Sequence, residues 1–411
     1  MRSTLRQVVA ITRMNLANLT ARRGASAVVV LGMAGVAFVF VALFAMGNGL
    51  RNTIASTGQP DRALLLGAGS NSEINGSITR AQAAIVAGLP GIAASSGAPG
   101  MHGYRNEHSA RARPLASAEI YATANLARAN GSGHAGLALR GVSEDAYRVR
   151  PEVQLLAGRR PAPGRFEMLV GRGAALTFAG LGVGDVIAIK GVRWRVVGHF
   201  MAAGSATESE AWIDVDVMAN VFRRGVFLNS ITVRLTHADA YADFVRAVEG
   251  ERRLSNSVFR ESAFHGAQAE AAARMMSVVG IVAATIMALG ALFSALNVQY
   301  AGVAARTREI ATLKALGFGA SALVASVLVE SLVLCAAGGA LGAAMGAWVF
   351  DGWRMSALGG AFGELAFAFD VSPRLLLGSV ALTVLLGLVG GVPPALHAAR
   401  MDVVRGLRAM A

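Results

Sequence analysis

The chain has 411 residues, 54% of them hydrophobic and only 15% charged, where an ordinary soluble domain carries about a quarter. This excludes both a disordered chain and one that dissolves along its whole length. The net charge of +13 invites a nucleic-acid reading that the positions of the charges must decide, and the single cysteine, Cys335, excludes an internal disulfide framework or a cysteine zinc site.

Residues 2–20 place Leu5, Val8, Val9, Thr12, Leu16 and Leu19 at helical spacing opposite several arginines. That pattern predicts an amphipathic helix over 1–23, lying in the cytoplasmic interface. A charge-free run between Arg23 and Arg51 follows, longer than the apolar stretch of a signal peptide and long enough to cross a bilayer, which takes about 20 apolar residues. Three further runs qualify: one between Arg274 and Arg306, one from Ala315 to Phe350 broken only by Glu330, and one from Leu375 to Ala399. The predicted spans are 24–50, 274–303, 321–350 and 375–397.

Between the first two spans, residues 51–273 are long enough for a core of their own. ALLL (63–66) reads as a strand, NSEING (71–76) as a turn and 82–89 as a helix. Residues 95–135 are rich in Gly, Ser and Ala, with His102, His108 and His134 scattered through them. A strand-rich block follows, EMLVG, DVIAIKGVRWRVVGHF, EAWIDV and SITVRL, separated by turn residues. Val192, Trp194 and Val196 alternate with Arg193 and Arg195, as in a half-buried strand. Residues 240–250 and 262–276 read as helices, the second running straight into the second span. From Arg51 to Arg274, 25 basic residues stand against 19 acidic ones, with no basic run interleaved with aromatics, which removes the nucleic-acid reading. The fold class is therefore a membrane protein of four transmembrane α-helices, one plus three, with a large extracytoplasmic α+β domain on helical stalks between helices one and two.

Orientation follows from the arginines. Arg2, Arg6, Arg13, Arg22 and Arg23 precede the first span without any acid. Arg306, Arg308 and Lys314 outweigh Glu309 in the loop 304–320, and Arg400, Arg405 and Arg408 outweigh Asp402 in the tail 398–411. The loop 351–374 instead holds Asp351, Glu364 and Asp370 against Arg354 and Arg374. Both termini are expected in the cytoplasm.

Traces of catalysis are missing. The sequence has no phosphate-binding loop, no H-E-x-x-H, no nucleophile elbow and no metal-spaced Cys/His cluster, so no catalytic or metal-binding residue is expected. Asn75-Gly76-Ser77 fits a glycosylation triplet of a kind that chance produces often. What the chain offers instead is a short amphipathic segment between spans two and three. There Ile310, Leu313 and Leu316 form an apolar face, Arg306, Arg308, Glu309 and Lys314 are suited to pairing across an interface, and Gly317 breaks the helix. Glu330, an intramembrane carboxylate, must face protein or water. Gly338, Gly342 and Gly346, and again Gly387 and Gly391, recur at four-residue spacing that lets helices approach closely, within the bundle or between protomers. Pro393-Pro394 is expected to close the last helix.

With these residues in view, the chain resembles the FtsX-like permease family of ABC transporters, which includes macrolide-exporter and lipoprotein-releasing permeases. The resemblance lies in the inner loop RTREIATLKALGFG (306–319), Glu330 after it, the Gly-rich remainder of the third span and the closing PALHAARMDVVRGLR (394–408). ALRGV, LLAGRRP, MLVG and WRVVGHF are similar to the family's large periplasmic domain. The resemblance implies a type VII, mechanotransmitting permease of a bacterial inner membrane, whose segment 304–320 is a coupling helix seated on an ABC ATPase supplied in trans. Arg306, Arg308, Glu309, Ile310, Leu313, Lys314, Leu316 and Gly317 would form that seat. It implies that spans one and two move the outer domain, for export or extraction of a substrate. It also implies a second permease, identical or not, and a periplasmic adaptor or lipoprotein as a further partner. No cofactor is expected on this chain, ATP and Mg²⁺ belonging to the partner ATPase. The competing reading is a membrane-anchored sensor or scaffold with an extracytoplasmic ligand-binding domain.

Overall fold

The computed structural model describes residue 13 and residues 23–95, 113–358 and 363–401. Nearly all of the expected N-terminal helix, His102, His108 and most of the tail lie outside the described residues. The chain divides into two units, one of Met1–Gly49, Ala273–Trp353 and Phe369–Ala411, the other of Leu50–Ala272 and Arg354–Ala368.

The first unit is built on helices α1 (Arg23–Ala55), α2 (Glu261–Ala305), α3 (Thr307–Ala315), α4 (Ala320–Phe350) and α5 (Pro373–Arg400). All but α3 are long and apolar enough to cross a membrane. Helices α1 and α2 are each continuous across the boundary between the units, and the second unit contains residues 50–55 of one and 261–272 of the other. The sequence terminates these helices with ordinary chemistry. Ser372 caps α5 by accepting from the Leu375 N–H at 3.3 Å, and Pro373 occupies the first turn, where its missing N–H costs nothing.

Small residues set the packing of the bundle. An added Cβ at Gly338 would lie 2.6 Å from the Val30 carbonyl oxygen, so there α4 meets α1 backbone to backbone. One at Gly346 would lie 2.9 Å from Val41 Cγ1, so there the glycine makes room for the valine side chain. Gly342 meets the Ala34 carbonyl as Gly338 meets that of Val30. Gly387 and Gly391 of α5 pack on Cys335 and Ser331 of α4. Every one of the five glycines singled out in the sequence thus has a neighbour within its own chain. Helix α2 differs: Met275, Ile286 and Phe293 are about two-thirds exposed, a surface that a bilayer or another apolar surface must cover. Phe350, Trp353 and Phe369 stack with centroids 5.6–5.9 Å apart at the α4–α5 turn, as aromatic residues do at a membrane–water boundary.

One expectation fails here. Pro393 and Pro394 do not close α5, which continues to Arg400. Proline removes a hydrogen bond from the preceding turn, but Ala395 and Ala398 are wholly buried and hold the final turns by packing.

The second unit is an α+β domain around a ten-stranded sheet. Its strands are β1 (Arg62–Gly67), β2 (Ala116–Ala127), β3 (His134–Val142), β4 (Gln154–Gly158), β5 (Glu167–Gly171), β6 (Val186–Ile189), β7 (Val192–Met201), β8 (Glu210–Asp214), β9 (Ser230–Arg234) and β10 (Asn256–Arg260). They lie in the order β10-β1-β9-β2-β3-β8-β5-β7-β4, with β6 also paired to β7. The β3/β8 and β5/β7 pairs are parallel and the others antiparallel. The long β2 holds the sheet together, its first residues pairing with β9 and its remainder with β3. Trp194 and Val196 are buried while Arg193 and Arg195 are exposed, as the alternation predicts. The segment 351–374, expected as an outer loop, contributes a hairpin, β11 (Arg354–Leu358) and β12 (Glu364–Ala368), to this unit. Its Glu364 pairs with Arg128 at 3.0 Å, and Ser209 Oγ accepts from the Ala366 N–H at 2.9 Å. Leu365 packs with Ile54, Ala206 and Ala269, where α1 ends and α2 begins.

A buried ionic network that sequence reasoning missed crosses the sheet. Arg140 forks onto Glu210 with two bonds of 2.8 Å and reaches Glu119 at 2.6 Å and Glu73 at 2.9 Å. Arg150 continues the network from Glu119 to Glu261, the first residue of α2, which also accepts from Arg62. Burial alone would push the Glu73 carboxyl up, but Arg140 beside it holds it down at about 2.

Replacing Gly338 with Leu should force α1 off α4, at a cost of roughly 1–3 kcal/mol. It should also make Cys335, fully buried beside Met33, react with a membrane-permeable maleimide. Unchanged melting and an unreactive thiol would show that α1 does not pack there.

Candidate functional site

The loop between the second and third spans folds into α3 and is fixed by both of its ends. At the N-terminus, Arg306 leaves the end of α2 and is buried. Its guanidinium donates to both oxygens of Glu330 on α4, at 2.9 and 3.2 Å. The intramembrane carboxylate therefore has its counter-ion next to it, and the two close a clamp between the loop and the third span. At the C-terminus, Gly317 adopts φ +89°, its N–H donating to the Lys314 carbonyl at 3.0 Å while Phe318 N–H donates to Leu313 at 3.1 Å. This paired termination requires a left-handed residue, which is why glycine stands at 317. Glu309 in the first turn and Lys314 in the last also complement the helix dipole.

The faces of α3 divide sharply. Ile310 is buried with Val303, Ala322, Leu323 and Ala398, and Leu313 packs against them, so the inward face crosses the ends of α2, α4 and α5. Lys314 Nζ donates to the carbonyls of Ala399 and Met401 at 2.6 and 2.7 Å, capping the end of α5. Four of the eight residues expected to meet a partner, Arg306, Ile310, Leu313 and Lys314, are therefore engaged within the chain. Arg308, Glu309, Leu316 and Gly317 remain exposed, with Thr312 beside them. Among the described residues, neither Arg308 nor Glu309 forms an ion pair. The exposed strip 308, 309, 312 and 316 follows one side of the helix.

A polar contact links the spans a little deeper. Gln299 Nε2 on α2 donates to Ser331 Oγ on α4 at 2.6 Å, and that hydroxyl donates to the Gly387 carbonyl on α5 at 2.9 Å. An amide and a hydroxyl in apolar runs gave no charge signal in the sequence. Their need for partners in lipid is what could have marked them.

Comparison with known proteins places both halves of the chain. Residues 26–251 match the family model of the MacB-like periplasmic core domain, and residues 281–403 match that of the FtsX-like permease C-terminal region. An uncharacterized ABC transporter permease of Methanocaldococcus jannaschii is 27% identical over 55% of this chain and 57% of its own length. The macrolide export ATP-binding/permease protein MacB of Escherichia coli K12 is 26% identical over 55% of this chain and 35% of its own. The uncharacterized ABC transporter permease YknZ of Bacillus subtilis is 25% identical over 55% and 57%. The chain thus spans between about a third and somewhat over half of the length of these relatives. Among solved structures, the periplasmic region of MacB from Actinobacillus actinomycetemcomitans aligns at 11% identity and a TM-score of 0.35, over 52% of this chain and 94% of that one.

The clamp on α3 can be tested by a double-mutant cycle. Glu330→Ala alone leaves the buried Arg306 charge uncompensated and should destabilise the purified protein by roughly 3 kcal/mol, whereas adding Arg306→Ala should recover most of that loss. Additive losses, read as melting temperatures in detergent, would show that the two side chains do not act as a pair.

Proposed function

This chain belongs to the FtsX-like, macrolide-exporter-type permease family of ABC transporters, and from that premise we propose that it is the membrane subunit through which a separate ATP-binding subunit moves the outer domain. In this reading α3 and both termini face the cytoplasm of a bacterium, as the arginine distribution favours. The spans lie in the inner membrane. ATP and Mg²⁺ are bound by the partner ATPase, and this chain supplies no catalytic side chain. A second permease, identical or not, completes the assembly, with an outer adaptor or lipoprotein as a further partner. The work done is export or extraction of a substrate.

The observation behind this reading is the two-sided character of α3. Its inner face is braced against α2, α4 and α5, while Arg308, Glu309, Thr312 and Leu316 face outward. A helix held this way passes a push from its exposed strip to the spans behind it. Two of the bundle's helices, α1 and α2, continue into the second unit, where Glu261 at the start of α2 joins the buried Arg150–Glu119 and Arg62 pairs. Displacement of the spans can therefore reach the sheet through covalently continuous helices, without substrate passing between the spans.

The test reverses charge on the exposed strip of the complex with its ATPase. Arg308→Glu and Glu309→Arg should each cut permease-stimulated ATP hydrolysis roughly tenfold or more, while membrane insertion and melting temperature hold. Wild-type hydrolysis in both variants would remove this strip as the docking surface.

A further inference from the structure

On the second unit, Arg159, Arg165, Arg193 and Arg195 line an open trough of about 640 Å³, together with Phe166 and Glu167. The arginines differ in what they hold. Arg159 forks onto Glu167 with bonds of 2.7 and 2.6 Å, showing how the trough takes a carboxylate. Among the described residues, Arg165, Arg193 and Arg195 form no ion pair. All three are exposed, and three unpaired guanidiniums on one concave face repel one another unless anions come between them.

Their spacing narrows the choice of anion. Arg193 and Arg195 are alternate residues of β7 on the face opposite buried Trp194 and Val196, which sets them roughly 6.6–7 Å apart along the strand. Alternate side chains of another extended chain repeat at the same interval. Beside them, among the described residues, β6 pairs on one side only, with β7, leaving backbone groups available to an added strand. Phe166, half exposed and edge-on to Trp194, adds an apolar ring to the same lining.

We propose that this trough binds an extended acidic polypeptide segment of another protein, its alternate carboxylates paired with Arg193 and Arg195. Arg165 and Phe166 take the neighbouring acidic and apolar side chains. The inference is independent of the ATPase-coupled function and would stand if that reading failed.

The experiment uses the full chain in detergent and a fluorescent peptide of alternating glutamate and valine, read by anisotropy. Binding is expected, and Arg193→Ala with Arg195→Ala should weaken it roughly tenfold or more. Arg172→Ala with Arg252→Ala, which removes the same charge from exposed positions that do not line the trough, should leave it unchanged. Unaltered melting of both double variants separates lost binding from lost folding. Equal binding by the trough variant and wild type would overturn the proposal. So would stoichiometric displacement of the peptide by inorganic pyrophosphate or by vesicles of anionic lipid, since the trough would then be a phosphate or headgroup site.

Discussion

A charge taken out of water must find its counter-charge inside the protein, and the Arg306–Glu330 pair is where this constraint shapes the molecule most. A carboxylate within an apolar span is costly, and pairing it with a guanidinium at the end of the preceding helix fixes where the intervening loop must lie. Once Arg306 is held on α4, the chain has few residues in which to turn back. It uses them for a helix whose apolar side, Ile310 and Leu313, falls across the ends of three spans. Lys314 then secures the far end of that helix on the α5 carbonyls. The exposed strip is what remains after these internal bonds have been made.

The second unit obeys the same rule on a larger scale. Arg140, Arg150 and Arg62 share Glu73, Glu119, Glu210 and Glu261, buried against the sheet. Each fork is directional, so the network specifies strand neighbours more strictly than apolar packing alone. Because Glu261 opens α2, the network also holds the point at which that helix leaves the sheet. The ionic clamp at α3 and this network at the root of α2 thus sit on opposite ends of one continuous helix, Glu261–Ala305.

Much of the architecture was legible because lipid allows few solutions. Long charge-free runs mark helices α1, α2, α4 and α5, and alternation at Val192–Val196 marks β7. The loop helix was legible from its amphipathic pattern and Gly317. What escaped were features that depend on where side chains meet. Glu119 and Arg140 stand singly within largely apolar strands and Glu210 opens another, a pattern that also suits a solvent-facing position, so pairing between distant strands left no local trace. The hairpin β11–β12 lay in a stretch whose acids suggested only an outer loop. The division of α3 into inner and outer faces needed the ends of α2 and α5 beside it, which turned Arg306 and Lys314 from expected partner contacts into internal ties. Pro393-Pro394 misled because tertiary packing outweighed a local breaker.

The proposed docking of α3, outer strip first, on an ATP-hydrolysing partner can be read in native membranes. A photo-crosslinking residue at Leu316, which is 72% exposed, activated in native membranes and followed by mass spectrometry, tests this most directly. A stoichiometric adduct with an ABC ATPase is expected from Leu316, while the same probe at buried Ile310 should link only to this chain. An adduct from Leu316 with a protein that is not an ATPase, or none beyond the chain itself, would contradict that docking and favour a membrane-anchored sensor or scaffold.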